Sequence, residues 1–333
     1  MPFNRPIIIL VLLVALALIS FQRFAGGGPE SVRRSRLVMG TVVEIAADGK
    51  DADRLDRAVT AAFQEMERLE GLMSPHRPQS DVARLSRSSE GLDVSPETAE
   101  VVALGLDVAR ASGGAFDMTL GRLKTLWGIE SEAPRVPSAP EIREALAGSG
   151  PDALRLEGNR VIKRDPYLAV DLGGIAKGYA IDRAIDVLRR AEVESASVNA
   201  GGDIRLLGAR GDRPWRIGIR HPRNPEGLTA TLLLDEAAVV TSGDYERFFE
   251  ADGVRYHHLF DPRTGYPAAL SRSVTVVAET AVLADALATA AFVLGPEAGL
   301  RLLEEYPGVE GMVVGADGTP VLTTGLKGRV EWP

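Results

Sequence analysis

Residues 170–184 read VDLGGIAKGYAIDRA. An apolar run (YLAVDL, 167–172) reads as a strand that ends in an acid, Asp171. It turns through Gly173 and Gly174 and enters an amphipathic helix near Ile175, with Lys177 in the first turn. Glycines allow close backbone approach, and a helix start offers unpaired N–H groups and the positive end of a dipole. Lys177 adds a full charge there, in a chain whose only other lysines are Lys50, Lys124, Lys163 and Lys327. The local chemistry fits an anion cradle or, equally, a glycine-rich turn with a solvated lysine. The order Ala176-Lys177-Gly178 matches neither the phosphate-binding Gly-Lys-Ser/Thr loop nor the dinucleotide glycine fingerprint.

Outward from this turn, short β-rich segments dominate: SASVNA, WRIGIR, TATLLL, AAVVTS, RYHHLF and SVTVVA downstream, and RLVMGTVVEIAA (36–47) upstream, read as one strand. Helices interrupt them without regular alternation. In 51–74, Leu55, Ala58, Ala62, Met66 and Leu69 recur at helical spacing. Ser95-Pro96-Glu97 caps a helix that stops at Gly113-Gly114, APEIREALAGSG (139–150) holds a short one, and TAVLADALATAAFVLG (280–295) makes another. This pattern predicts an α+β fold with a large, mostly antiparallel sheet and packed helices, not a doubly wound one. No linker divides residues 36–325, so 29–333 reads as one domain.

Residues 1–28 read as an anchor and linker. PIIILVLLVALALISF (6–21) is uninterrupted apolar sequence, close to the roughly 17–25 residues that span a bilayer, and GGGPES follows at 26–31. With no good cleavage site after it, an uncleaved inner-membrane anchor with an extracytoplasmic domain is expected. Arg23, Arg33, Arg34 and Arg36 beyond the run oppose that orientation on a positive-inside count. A net charge of −8 argues against nucleic-acid binding, and the absence of cysteine excludes disulfides, thiolate metal sites and a cysteine nucleophile. Four histidines argue against an imidazole-rich zinc site.

Several stretches carry chemistry. In ADALATA (284–290), Asp285 and Thr289 share one helical face among small apolar neighbours. A carboxylate there needs a partner, and two oxygen ligands suit Mg²⁺ or Ca²⁺; pairing with a buried arginine is the competing account. In YHHLFDPRTG (256–265), adjacent strand histidines point to opposite faces, so His257 and His258 cannot both serve one site. GGAFDMTLGRLKTLWG (113–128) sets Asp117 between Phe116 and Trp127, rings that fit a binding pocket or a core equally. VNAGGDI (198–204) and TSGDYERFF (241–249) are loops in which glycine precedes an acid.

As a set, VMGTVVEI, MSPHRPQSDVARLS, GGAFDMTLG, DLGGIAKGYAIDRA, NAGGDI, TSGDYERFFE, HLFDPRTGYP and ADALATA occur in an order that resembles the FAD:protein FMN transferase (ApbE) family. The resemblance implies a T-fold-like α+β enzyme, exported and usually membrane-tethered. Such an enzyme cleaves FAD at the pyrophosphate and joins FMN through a phosphoester to Ser/Thr of acceptor proteins, redox-pump or electron-transfer subunits, releasing AMP. Carried over by residue, Met39, Ala115, Phe116, Asp117, Asp171, Lys177 and Phe260 correspond to FAD contacts, and His76 stands where tyrosine is common. Gly174 through its carbonyl, with Asp285 and Thr289, corresponds to the Mg²⁺ site. His258 corresponds to the base that activates the acceptor hydroxyl. Met118 replaces a frequent proline. Two further outcomes use the same residues: an Mg²⁺-dependent pyrophosphatase releasing free FMN and AMP, and a membrane-tethered flavin-binding module that leaves FAD intact.

Overall fold

The structure is a computed structural model that describes residues 30–209 and 213–333. The expected anchor at 1–28 lies outside the described residues. Strands β1 (Glu30–Val38) and β2 (Thr41–Gly49) form a hairpin where one strand was expected over 36–47. Met39 and Gly40 divide it with φ of 53° and 71°, left-handed values whose turn matches the twist of the flanking strands. Met-Gly is not among the residue pairs that announce such a turn, which is why the break was not read.

The chain continues through α1 (Ala52–Met73), α2 (Asp81–Arg87), β3 (Gly91–Asp93), α3 (Pro96–Ala111), α4 (Gly121–Trp127), α5 (Ala139–Leu146), β4 (Leu154–Glu157) and β5 (Arg160–Lys163). The expected cap Ser95 accepts from Thr98 N at 3.3 Å, and Asp51 caps α1 by accepting from Arg54 N at 3.0 Å. Residues 167–172 are not a strand. Their backbone is satisfied sideways, Val170 N by Ser86 Oγ at 3.0 Å and Asp171 N by Met118 O at 2.8 Å, so a β-rich composition ends in irregular structure.

Beyond α6 (Ala176–Arg190) come β6 (Ser195–Ala200), β7 (Asp203–Leu207), β8 (Trp215–His221), β9 (Asn224–Leu234), β10 (Ala238–Gly243), β11 (Phe248–Ala251), β12 (Val254–His257) and β13 (Ser271–Ala278). Helix α7 (Ala281–Glu304), β14 (Glu310–Gly315), β15 (Pro320–Leu322) and β16 (Val330–Glu331) follow. Eight strands make the predicted large antiparallel sheet, in the order β1-β2-β6-β7-β10-β13-β14-β15. Its residues alternate between two cores, as a two-period strand requires. Val274 and Val276 of β13 join the helix-side core with Phe63, Ile181 and Leu287, while Val277 faces Trp215, Leu232 and Leu326 on the other side. That second side is covered by the small sheet β16-β9-β8, which the sequence did not reveal.

Helices α6 and α7 position the site. The ideal Cβ of Gly178 would lie 2.2 Å from Ala281 O and 2.8 Å from Val282 Cα, so only glycine allows this approach. Asp182, one turn on, accepts from Ala281 N and Val282 N at 2.8 Å each and caps α7 from outside. The helical run from Ala281 is broken at Gly295, as expected, where φ 81° and ψ −178° are non-helical, and a second helical segment from Pro296 carries α7 on to Glu304. Gly178→Ala should lower unfolding free energy by at least about 1–3 kcal/mol, because the obstacle is backbone rather than a movable side chain. Urea denaturation checks this; an unchanged midpoint would rule out the tight crossing.

Candidate active site

Seven stretches of chain line a cleft of about 340 Å³, and four of them carry residues named from the sequence. After α3, Gly113 and Gly114 take φ of 62° and 85°, and Ser112 Oγ accepts from Phe116 N at 3.0 Å, which turns Ala115, Phe116 and Asp117 to the cleft wall. The 171–177 turn supplies Asp171, Gly174 and Lys177, α7 supplies Asp285 and Thr289, and the segment after β12 supplies His258 and Phe260. Two hollows of about 300 and 550 Å³ adjoin it, one lined by Met39 and His76, the other by His76, His258 and Phe260. Lys124 and Asp171 line all three, so the whole is one trough suited to an elongated ligand. Every site residue named from the sequence lies on this trough. Trp127 does not: it is fully buried, with its Nε1–H donating to Gly265 O at 2.9 Å, and belongs to the core.

Charge organises the cleft. Asp171 holds Lys124 Nζ at 2.9 Å from both oxygens and accepts from Gly173 N at 2.9 Å. Burial pushes its carboxyl up, but the Lys124 ammonium and this N–H outweigh burial and hold it below the usual carboxylate range. Lys177 donates to Asp203, whose other oxygen accepts from Thr241 N at 3.1 Å. Burial depresses the Lys177 ammonium, yet Asp203 and Asp285 together raise it above its ordinary value.

Asp285 is left without a cation of its own. Its Oδ2 accepts from Gly178 N at 3.0 Å, and Lys177 bonds Asp203 instead. Burial pushes its carboxyl up to about 7, partly offset by the charge of Lys177. Gly174 lies directly against Thr289, since a Cβ there would be 3.0 Å from Thr289 Oγ1. Five carboxylates (Asp117, Asp171, Asp203, Asp285, Glu246) face three cationic side chains (Lys124, Lys177, Arg247) on the cleft wall. A buried carboxylate without a bonded cation, lining the same cleft as the Thr289 hydroxyl and Gly174, fits a hard divalent cation. No three His, Asp or Glu side chains cluster as a metal site among the described residues, so such an ion would need those neutral oxygens.

Asp117 Oδ1 accepts from Thr119 N at 2.7 Å, whereas its buried Oδ2 has no partner, and burial raises its carboxyl. That orphaned acceptor calls for a donor from a ligand.

The two histidines face apart, as their spacing predicted. His257 is spent on structure: Nε2–H donates to Ala268 O at 2.9 Å and Nδ1 accepts from Leu259 N at 3.3 Å. His258 Nδ1 faces Arg247 O at 3.3 Å, and since a carbonyl only accepts, Nδ1 carries the proton and Nε2 is left as the acceptor. Burial, then the charges of Arg247 and Lys124, push the His258 imidazole down to about 3, so it is a neutral base at ordinary pH.

Sequence reasoning missed Lys124, Asp203 and Arg247. Lys124 carried only the scarcity it shares with the chain's other lysines, and the NAGGDI and TSGDYER loops held the other two as plain turn signals.

A model of the ApbE family matches residues 39–313. The FAD:protein FMN transferase of Treponema pallidum (strain Nichols) is 35% identical over 329 residues, 92% of this chain and 91% of that protein. The FAD:protein FMN transferase of Vibrio cholerae is 36% identical over 307 residues, 88% and 90% of the two chains. Among solved structures, the ApbE protein of Thermotoga maritima superposes with a TM-score of 0.83 at 36% identity, covering 90% of this chain and 98% of that one. The flavin transferase ApbE of Vibrio cholerae does so at 0.82 and 32% identity, covering 91% and 100%. With likeness of this extent in both sequence and structure, the chain belongs to the ApbE family.

Proposed function

We propose that the chain is an Mg²⁺-dependent flavin transferase that moves FMN from FAD to a Ser/Thr hydroxyl of an acceptor protein and releases AMP. The observation that carries this reading is the neutral His258, with its Nε2 free of protein partners among the described residues, in the same cleft as Lys177 and the un-neutralised Asp285. The acceptor oxygen forms a bond to the FMN phosphorus, the bond from that phosphorus to the AMP oxygen breaks, and the hydroxyl proton passes to His258 Nε2. Lys177 and the start of α6 bind the pyrophosphate oxygens. Gly174 O, Asp285 and Thr289 would hold Mg²⁺, which, when bound, supplies charge stabilisation for the leaving phosphate. Met39, His76, Ala115, Phe116 and Phe260 border the flavin and adenine, Asp117 Oδ2 takes a donor from FAD, and Asp171 keeps Lys124 beside the ligand.

The T-fold-like classification, the anchor at 1–28, a single domain over 29–333 and an extracytoplasmic location at the inner membrane belong to the same proposal, with redox-pump or electron-transfer subunits as acceptors. Incubating the soluble domain with FAD, Mg²⁺ and a candidate acceptor tests it. The expected result is an acceptor heavier by one FMN less water. Free FMN without modified acceptor would make the chain a pyrophosphatase, and intact FAD would make it a binding module.

A further inference from the structure

The strand that leads into His258 also walls a second hollow, of about 390 Å³, which shares no residue with the cleft. Arg223, Arg255 and Arg272 line it against a single acid, Asp244. Asp244 is already taken: it holds Arg223 through two bonds at 2.7 and 2.6 Å, with Arg255 at 3.9 Å. Arg255 also reaches Glu250 at 3.2 Å. Arg272, half-buried, has no side-chain hydrogen bond or ion pair among the described residues. The nearby Asp317, which feels its charge, is itself occupied by Thr319.

A second observation is independent of charge. Ser271, 3% exposed, lines the same hollow, and its buried Oγ has no partner. Around the opening, Val254 and Tyr266 are 49% and 39% exposed. An unpaired guanidinium beside an unsatisfied hydroxyl is built for a carboxylate, and exposed apolar side chains around it have nothing to offer a free inorganic anion.

We propose that this hollow docks an acidic, partly apolar segment of the acceptor protein, with a carboxylate on Arg272 and Ser271 and apolar residues over Val254 and Tyr266. The inference rests on the protein-acceptor reading above. Since β12 borders this hollow and leads directly to His258 in the cleft, one acceptor can engage both. In a chain of net charge −8, a local excess of arginine also selects which acidic partners approach.

The test is binding without turnover: fluorescence anisotropy of a labelled peptide of alternating glutamate and leucine against the full chain, at low salt. The expected result is saturable binding that Arg272→Glu weakens at least about tenfold and Arg272→Lys largely keeps, with FAD affinity unchanged in both. Unchanged peptide affinity in Arg272→Glu would overturn the proposal, and so would equal binding of a lysine–leucine peptide. Competition by inorganic phosphate at carboxylate-equivalent concentration would make it a small-anion site instead. A wild-type chain that never binds the peptide would overturn the docking site and leave the transfer reading standing, whereas a chain that binds the peptide but never modifies an acceptor fails only the transfer reading.

Discussion

Asp285→Ala is expected to abolish flavin transfer and, with it, the stabilisation expected from the proposed Mg²⁺. Asp285 is a buried carboxylate of the cleft that no side-chain cation bonds directly, because Lys177 bonds Asp203. Removing it deletes the only charged ligand of the proposed metal set. It also strips the partner from Gly178 N–H, at a cost of about 1–3 kcal/mol, set against relief from burying a carboxyl. A cation bound at a hundred times its Kd should stabilise the wild type by about 2.7 kcal/mol, and the variant not at all. Thermal melts with and without Mg²⁺ read this apart from activity. Asp285→Asn keeps the Gly178 bond and separates shape from charge. The pH response has a definite sign. A carboxyl raised to about 7 from 3.8 favours the native state at low pH, and that contribution is lost as pH rises between the two values. In EDTA, the wild type minus Asp285→Asn difference in unfolding free energy should therefore shrink from pH 4 to pH 7. An active Asp285→Ala variant, or one still stabilised by Mg²⁺, would remove Asp285 from the metal site.

His258→Ala is expected to slow transfer about 100–10,000-fold while FAD affinity stays within a few-fold of wild type. The imidazole is held by Arg247 O at Nδ1, and burial, with the positive charges of Arg247 and Lys124, keeps it unprotonated, so its proposed contribution is acceptance of a proton rather than grip on phosphate. His257→Ala is the contrast: losing the bond to Ala268 O and the edge-on ring contact with Phe292 at 5.5 Å should lower stability first. Single-turnover rates with isothermal FAD titration distinguish the two. A His258→Ala variant that loses FAD binding as severely as its rate would make this residue a substrate contact instead of a base.

What could be read from the sequence followed periodicity and caps. The helices at 52–73, 96–111 and 176–190 follow from apolar spacing, Ser95 and the 173–178 turn. Lys177 and Asp285 stood out because rare residue types stood in unusual settings, a lysine at a helix start and an acid among alanines; Met39, His76, Ala115, Gly174 and Phe260 came only with the family resemblance. Long-range pairing was not legible. Nothing in NAGGDI says that Asp203 meets Lys177, twenty-six residues away. Nor does lysine scarcity distinguish Lys124, at the centre of the trough, from Lys163, whose ammonium donates to Ser86 O, Pro166 O and Leu168 O and only ties down a loop. The 167–172 segment misled because its β-branched and aromatic residues serve side-chain packing, while its backbone bonds run to α2 and the 118–121 turn.

The crossing of α6 and α7 has a consequence for how this segment tolerates change. Within six positions, Lys177 faces the cleft, Gly178 lets the helices touch, and Asp182 closes the end of α7. Chemistry and architecture are thus written on the same turns of helix, and a substitution that spares one disturbs the other. Neutral drift is left to the outer surface, where Arg189 and Arg190 are exposed. A saturation library across 176–190 would be nearly barren at 177, 178 and 182 and permissive at 189 and 190, a pattern of heritable variation set by two helices standing too close for a methyl group.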